Sequence, residues 1–103
     1  MRIQFQRSGG FAGLLVRTNI DTASLSKAEA EKLQKMVAEA GFFDLPAQLT
    51  SPAPGADQFQ YKVSIEEGDR RHTVETSDQA APDSLRPLLR ELTVRARSAP
   101  GSG

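Results

Sequence analysis

Apolar and polar residues alternate in four segments of the chain, which is the pattern of strands with one buried face. Residues 3–6 and 14–20 carry it first, and glycines 9, 10 and 13 lie between these two segments. We therefore predict a hairpin here, with a loop that is bulged or longer than two residues. Residues 59–66 and 71–76 repeat the alternation, and the sequence EEGDRR between them predicts a second hairpin turn.

The segment after residue 25 is predicted to be a helix, because its apolar residues recur at every third or fourth position. Ser26 and Glu29 have the spacing of a capping box, in which the serine side chain caps the first turn. Gly41 suits the left-handed position just after the helix, where Phe42 can fold back onto Val37. The helix is therefore expected to end at residue 40.

Residues 42–58 are predicted to form a long connection without regular structure. The connection begins with the apolar sequence FFDLP and continues with LTSPAPGAD, which is rich in proline, glycine and alanine. Connections of this length inside a compact domain often have a functional role.

The order of the predicted elements is ββαββα, which defines the fold class. The second helix begins near Asp83 or Ser84, and its apolar face carries Leu85, Leu88, Leu89 and Leu92. We predict an α+β fold in which both helices pack on one face of a four-stranded antiparallel sheet. Residues 1–97 are expected to form a single domain, followed by a disordered tail over residues 98–103.

The direction of the chain places three irregular segments at one end of this sheet. If the first strand runs upward, the RSGGFAG loop lies at the top, and a first helix that also runs upward puts residues 42–58 there. The last strand ends at the top as well, before the sequence SDQAAPD. We expect a binding site at this end, because loops on a rigid scaffold commonly carry binding residues.

Composition and charge exclude several classes of protein. Lys and Arg together number 13, as do Asp and Glu, so a net charge of zero gives no attraction to nucleic acid or to an anionic membrane. The absence of cysteine excludes disulfides and cysteine-ligated metal sites. The chain shows no signal-like apolar run near its amino terminus and no apolar segment of about 20 residues. We therefore expect a cytoplasmic monomer.

Candidate catalytic residues are few, and we predict no enzymatic activity and no cofactor. His72 is the only histidine and falls on the inward face of its strand, so we interpret it as a residue at the edge of the core. No serine or threonine has an evident base nearby, and GGFAG lacks the Lys-Ser/Thr of a phosphate-binding loop. Six arginines are interpreted as solvated residues rather than as a nucleic-acid site: Arg70, Arg71, Arg86, Arg90, Arg95 and Arg97.

The sequence resembles the emfourin family, small bacterial protein inhibitors of thermolysin-like (protealysin-type) zinc metallopeptidases. The resemblance spans approximately residues 2–97 and rests on RSGGFAG, AGFFDLP, DQFQYKVSI, RRHTVETSD and LRPLLREL in this order. It implies that the partner of this protein is such a peptidase. An adaptor or regulatory domain that uses the same loops without inhibition is the alternative.

The resemblance implies a protease-binding surface in the top loops, for which the candidate residues are Ser8, Gly9, Gly10, Phe11, Leu14, Asp57 and Asp78. A catalytic zinc leaves one coordination position open, and we expect either Asp57 or Asp78 to approach it. Phe11, together with Leu14, is expected to fill a pocket for bulky apolar side chains. The alternative for Phe11 is packing into the core. The protein is expected to hold no metal of its own.

Overall fold

The computed structural model describes residues 1–9, 14–49 and 59–98. The elements in chain order are β1 (Arg2–Gly9), β2 (Leu14–Asp21), α1 (Lys27–Ala40), β3 (Gln48–Leu49), β4 (Phe59–Glu67), β5 (Arg70–Ser77) and α2 (Arg86–Ser98). Short 3₁₀ turns cover Thr22–Ser24 and Phe42–Asp44. The predicted α+β class is confirmed.

The strands form one mixed sheet in the order β2-β1-β4-β5-β3. The prediction of a purely antiparallel sheet of four strands was wrong, because β3 adds a fifth strand that runs parallel to β5. Gln48 lies opposite Glu75 and Leu49 opposite Thr76, and the Glu75 amide donates a hydrogen bond of 2.8 Å to the carbonyl of Ala47. Two residues are too few to produce a visible alternation, so the sequence pattern could not reveal this strand.

The hairpin predicted at EEGDRR joins β4 to β5 through Gly68 and Asp69. Gly68 has φ of +60°, which glycine adopts without steric cost. A positive φ at the first of two loop residues is the pattern of a type II′ turn, whose twist matches that of the flanking strands. Glu67 and Arg70 lie opposite each other across this turn.

Both predicted ends of α1 are confirmed by their local geometry. The Ser26 hydroxyl accepts a hydrogen bond of 3.2 Å from the Glu29 amide, which satisfies one of the free donors of the first turn. Gly41 follows the helix in the left-handed conformation with φ of +61°. Val37 and Phe42 are both buried in the core, as expected for a chain that folds back after this cap.

The hydrophobic core lies between one face of the sheet and the two helices. Its largest members are Ile3, Phe5, Leu33, Phe42, Val63, Ile65, Val74, Leu85, Leu88 and Leu92. The residues that alternate with the core positions of β1 and β4, such as Gln4, Lys62 and Glu66, are exposed on the opposite face of the sheet. The prediction that both helices cover one face is therefore correct.

The strands define two ends of the sheet. Gly9, Leu14, Phe59 and Ser77 lie at one end, which we call the top end. Arg2, Asp21, Glu67 and Arg70 lie at the other, which we call the bottom end.

The direction predicted for α1 was wrong, because the helix crosses the strands instead of running upward. It begins after Thr22, whose amide donates a hydrogen bond of 3.0 Å to the carbonyl of Met1 at the bottom end. Just after the helix, the Phe43 ring lies 4.2 Å from the guanidinium carbon of Arg70, which is also at the bottom end. The ring of Phe42 packs edge-on against His72, which fixes this end of the helix near β5.

The strand β3 then returns the chain toward the top end. Because it runs parallel to β5, it ends at Leu49 beside Thr76, and the next described residue, Phe59, begins β4 at the top. The first part of the predicted connection over residues 42–58 is thus a 3₁₀ turn and a strand, and the remainder lies outside the described residues.

Candidate functional site

The top end of the sheet is where the chain leaves and re-enters the described structure. Gly9 lies opposite both Leu14 and Phe59, so residues 10–13 connect two neighbouring strands there. Residues 50–58 also connect two points at this end, from Leu49 to Phe59. The predicted convergence at the top end therefore holds for the flanks of residues 10–13 and 50–58, whereas Phe42 and Phe43, predicted to lie there as well, pack near the bottom end.

The candidate binding residues fall into two groups. Ser8 and Gly9 are the last residues of β1, Leu14 is the first residue of β2, and Asp78 directly follows β5. Gly10, Phe11 and Asp57 lie outside the described residues. The structure therefore brings Ser8, Gly9, Leu14 and Asp78 to the top end.

Asp78 joins the end of β5 to the start of β4. Its Oδ2 accepts a hydrogen bond of 3.1 Å from the Phe59 amide, and its Oδ1 accepts one of 2.6 Å from the Tyr61 hydroxyl. The Asp78 amide in turn donates a hydrogen bond of 3.2 Å to the carbonyl of Phe59. Both carboxylate oxygens thus have partners within the protein.

This role of Asp78 inside the fold was not predicted, although the sequence carries a signal for it. A two-residue turn at Gly68 and Asp69 sets the register of the hairpin, and this register places Asp78 opposite Phe59. A short polar side chain just beyond the last strand residue can then reach the free amide at the start of the neighbouring strand.

Tyr61 is held as a neutral hydrogen-bond donor in this cluster. Burial raises the pKa of the Tyr61 hydroxyl, and the hydrogen bond to the Asp78 carboxylate raises it further. The nearby Arg7 guanidinium opposes this shift, since a positive charge favours the phenolate. The Tyr61 hydroxyl therefore keeps its proton and donates a hydrogen bond to Asp78, a contact that stabilises the top end.

Arg7 also contributes to the top end, although it was not among the predicted binding residues. Its guanidinium carbon lies 3.5 Å from the centre of the Phe59 ring, a cation–π contact. Its Nε atom is buried and has no hydrogen-bond partner among the described residues. Side chains at every second position of a strand point to the same face of the sheet. Since Ile3 and Phe5 are buried, the alternation predicts that the Arg7 side chain also points inward.

An open cleft of about 350 Å³ lies between α2 and the ends of β4 and β5. It is lined by Tyr61, Asp78, Ala81, Arg86, Leu89, Arg90, Thr93, Val94 and Arg97. The Arg86 guanidinium donates a hydrogen bond of 2.9 Å to the carbonyl of Asp78. This contact fixes the start of α2 against the top end of the sheet.

His72 has the position at the edge of the core that its pattern predicted. Its Nε2 atom lies 2.6 Å from the carbonyl oxygen of Leu45, and its ring contacts Phe42. The described residues contain no group of three or more histidine, aspartate or glutamate side chains that could hold a metal ion. In the same parts of the chain, no helix has the length and apolar character needed to cross a membrane.

Asp83 lies just before α2 without capping it. Its carboxylate is fully exposed and lies 3.4 Å from the Nε atom of Arg86, whereas α2 begins at Arg86. The helix therefore starts two or three residues after the predicted position at Asp83 or Ser84.

A comparison with protein-family models shows to which family the chain belongs. A family model described as Emfourin matches residues 5–93, which extends from β1 into the third turn of α2. Comparisons with curated proteins and with solved structures give no match. The chain belongs to the Emfourin family, and this membership implies a general role as an inhibitor of metallopeptidases rather than as an enzyme.

Proposed function

We propose that this protein inhibits a thermolysin-like zinc metallopeptidase of the protealysin type by inserting the top end of its sheet into the active-site cleft. The observation that carries the proposal is that residues 10–13 and 50–58 both leave from and return to this one end. Two segments that share one end of a packed sheet can enter a single cleft together.

The contacts beneath these segments support a preorganised binding surface. Asp78 ties the start of β4 to the end of β5, and Arg7 stacks on Phe59 at the same end. Residues next to a binding segment that are already fixed lose less entropy when the complex forms. We therefore assign Asp78 and Arg7 a positioning role.

Phe11 is the proposed apolar anchor. It belongs to the four residues between Gly9 and Leu14, the two strand ends that meet at the top end. In the proposal, Phe11 fills the pocket by which such peptidases bind bulky apolar side chains, with Leu14 beside it. Buried aromatic anchors commonly contribute most of the binding free energy of an interface.

Asp57 is the proposed carboxylate near the zinc. The two oxygens of Asp78 accept hydrogen bonds from β4, which gives this carboxylate a role within the fold and favours Asp57 as the one that approaches the zinc. Asp57 lies two residues before Phe59, whose amide is fixed by Asp78. A carboxylate delivered there could take the coordination position of the attacking water.

A purified protealysin-type enzyme tests the proposal directly. The chain is expected to abolish peptide hydrolysis at a one-to-one molar ratio, and Phe11→Ala is expected to weaken inhibition more than tenfold with an unchanged melting temperature. Asp57→Asn is expected to weaken inhibition in the same way. Binding to the enzyme without loss of hydrolysis would favour the adaptor function and refute inhibition.

The position of Phe11 has its own diagnostic result. If Phe11→Ala lowers the melting temperature strongly and leaves the inhibition constant unchanged, Phe11 packs into the core and is not the anchor. Unchanged inhibition by both Asp57→Asn and Asp78→Asn would refute the zinc-directed carboxylate.

A further inference from the structure

The two sides of α2 differ in how their charges are neutralised. On the side that faces α1, the Arg95 guanidinium lies 2.8 Å from Glu91 and also pairs with Glu29. The Lys32 ammonium lies 3.4 Å from Glu91, which completes a network of two cations and two carboxylates. The hydrogen bond from Arg95 holds the pKa of Glu29 below its usual value. This side of the helix therefore presents no net charge.

The opposite side of α2 carries three exposed arginines that this network does not neutralise. Arg86, Arg90 and Arg97 follow one another at intervals of four and seven residues, which places them on one side of the helix. Among the described residues, no carboxylate lies within ion-pair distance of Arg90 or Arg97. Arg86 forms an ion pair with the fully exposed Asp83 at 3.4 Å.

The cleft beside these arginines has an apolar floor with a cationic rim. Ala81 and Leu89 are buried, whereas the Val94 side chain is 55% exposed between Arg90 and Arg97. An apolar centre with arginines around it is typical of protein-binding surfaces. Asp78 is the one carboxylate among the described residues that line the cleft, and both its oxygens accept hydrogen bonds from within the protein.

This cleft is continuous with the proposed protease-binding end. Tyr61 and Asp78 line it, and Asp78 is bonded to Phe59, where residues 50–58 re-enter the sheet. The hydrogen bond from Arg86 to the Asp78 carbonyl connects α2 to the same point. A partner seated on the top end therefore meets the arginine side of α2 as well.

We propose that the arginine side of α2 is a second contact surface of the inhibitor, which binds a carboxylate-rich strip of the target metallopeptidase next to its cleft. This inference rests on the proposed function and adds the chemistry of the partner surface. Complementary charges at the edge of an interface mainly accelerate association, and salt screens the effect. The net charge of zero for the whole chain favours such a local patch over general polyanion binding.

The test compares two double variants that lose the same net charge. Arg90→Gln/Arg97→Gln removes the cations at the cleft, and Arg17→Gln/Arg71→Gln removes two exposed cations on the outer face of the sheet. Association with a protealysin-type enzyme is measured by stopped-flow inhibition at low and at high ionic strength. We expect the first variant to slow association about fivefold at low ionic strength, and the control less than about twofold.

A variant that keeps the positive charge and a change of ionic strength provide two further tests of the association rate. Arg90→Lys/Arg97→Lys is expected to keep the wild-type association rate, because steering requires only the positive charge. At high ionic strength, the difference between the two glutamine variants is expected to disappear.

The outcomes separate this inference from the proposed function. Equal association rates for the two glutamine variants, or salt-independent association, would overturn the acidic partner surface while inhibition by the wild-type chain stands. Wild-type protein that fails to inhibit the enzyme would overturn the proposed function and this inference together. Tight binding of the wild type to an oligonucleotide, lost in Arg90→Gln/Arg97→Gln, would assign the patch to nucleic acid instead.

Discussion

Replacing Asp78 with alanine tests whether this carboxylate holds the top end of the sheet together. The substitution removes the hydrogen bonds of 3.1 Å from the Phe59 amide and 2.6 Å from the Tyr61 hydroxyl. Both contacts are partly buried, so each donor is expected to lose about 1–1.5 kcal/mol. The free energy of unfolding should therefore fall by about 2–3 kcal/mol, which lowers the melting temperature of a chain of this size by about 10–20 °C.

Asparagine at the same position provides the matched control. In Asp78→Asn, the amide oxygen can still accept from Phe59, and the amide nitrogen can donate to the Tyr61 oxygen. The charge is lost and the Tyr61 hydroxyl proton loses its acceptor, but both side chains keep a hydrogen bond, so the cost should be about 1 kcal/mol. Inhibition of a protealysin-type enzyme should stay within about threefold of wild type, because the shape of the top end is kept.

Urea unfolding followed by circular dichroism measures the stability of both variants, and the inhibition constant is measured below their melting temperatures. A loss of less than about 0.5 kcal/mol for Asp78→Ala would show that the carboxylate does not stabilise the fold. A loss of inhibition greater than tenfold for Asp78→Asn, with unchanged stability, would show that this carboxylate acts on the target enzyme.

Three further predictions follow from particular contacts. Tyr61 is the only tyrosine and the chain has no tryptophan, so a spectrophotometric titration follows a single phenol. This phenol should ionise above pH 10.0, and Asp78→Asn should lower its pKa. Because the folded state holds this proton more tightly, its contribution to stability should be complete below the unfolded pKa and lost as pH rises through the folded value. Leu88→Ala empties a fully buried site and should cost about 3 kcal/mol in urea unfolding without changing the inhibition constant of the folded protein. Gly68→Ala should cost about 1 kcal/mol in the same assay through its positive φ alone, since no atom lies within 4 Å of an added Cβ.

Features set by near neighbours in the chain could be predicted from the sequence. The caps of α1 at Ser26 and Gly41, the β4–β5 hairpin and the buried leucines of α2 each depend on a few adjacent residues. The family could also be recognised, because its motifs occur in order along the chain.

Features set by contacts distant in sequence could not be predicted in the same way. The path of α1 depends on where Phe42 and Phe43 pack, against His72 and Arg70. The short β3 exists because β5 offers a free edge to Gln48 and Leu49. Such contacts leave no periodic signal, since they require the tertiary arrangement first.

The position of β1 between β2 and β4 has a consequence for how the chain acquires its structure during synthesis. β1 leaves the ribosome before both of its neighbours and can pair early with β2, its neighbour in the hairpin, but its other edge pairs with β4, about sixty residues later in the chain. Until then, an edge of eight residues that includes Ile3 and Phe5 stays open to pairing with other chains. The step that joins β1 to β4 closes a long loop and should limit the folding rate. Substitutions that weaken this pairing should therefore reduce the yield of soluble protein in cells more than their effect on equilibrium stability would suggest.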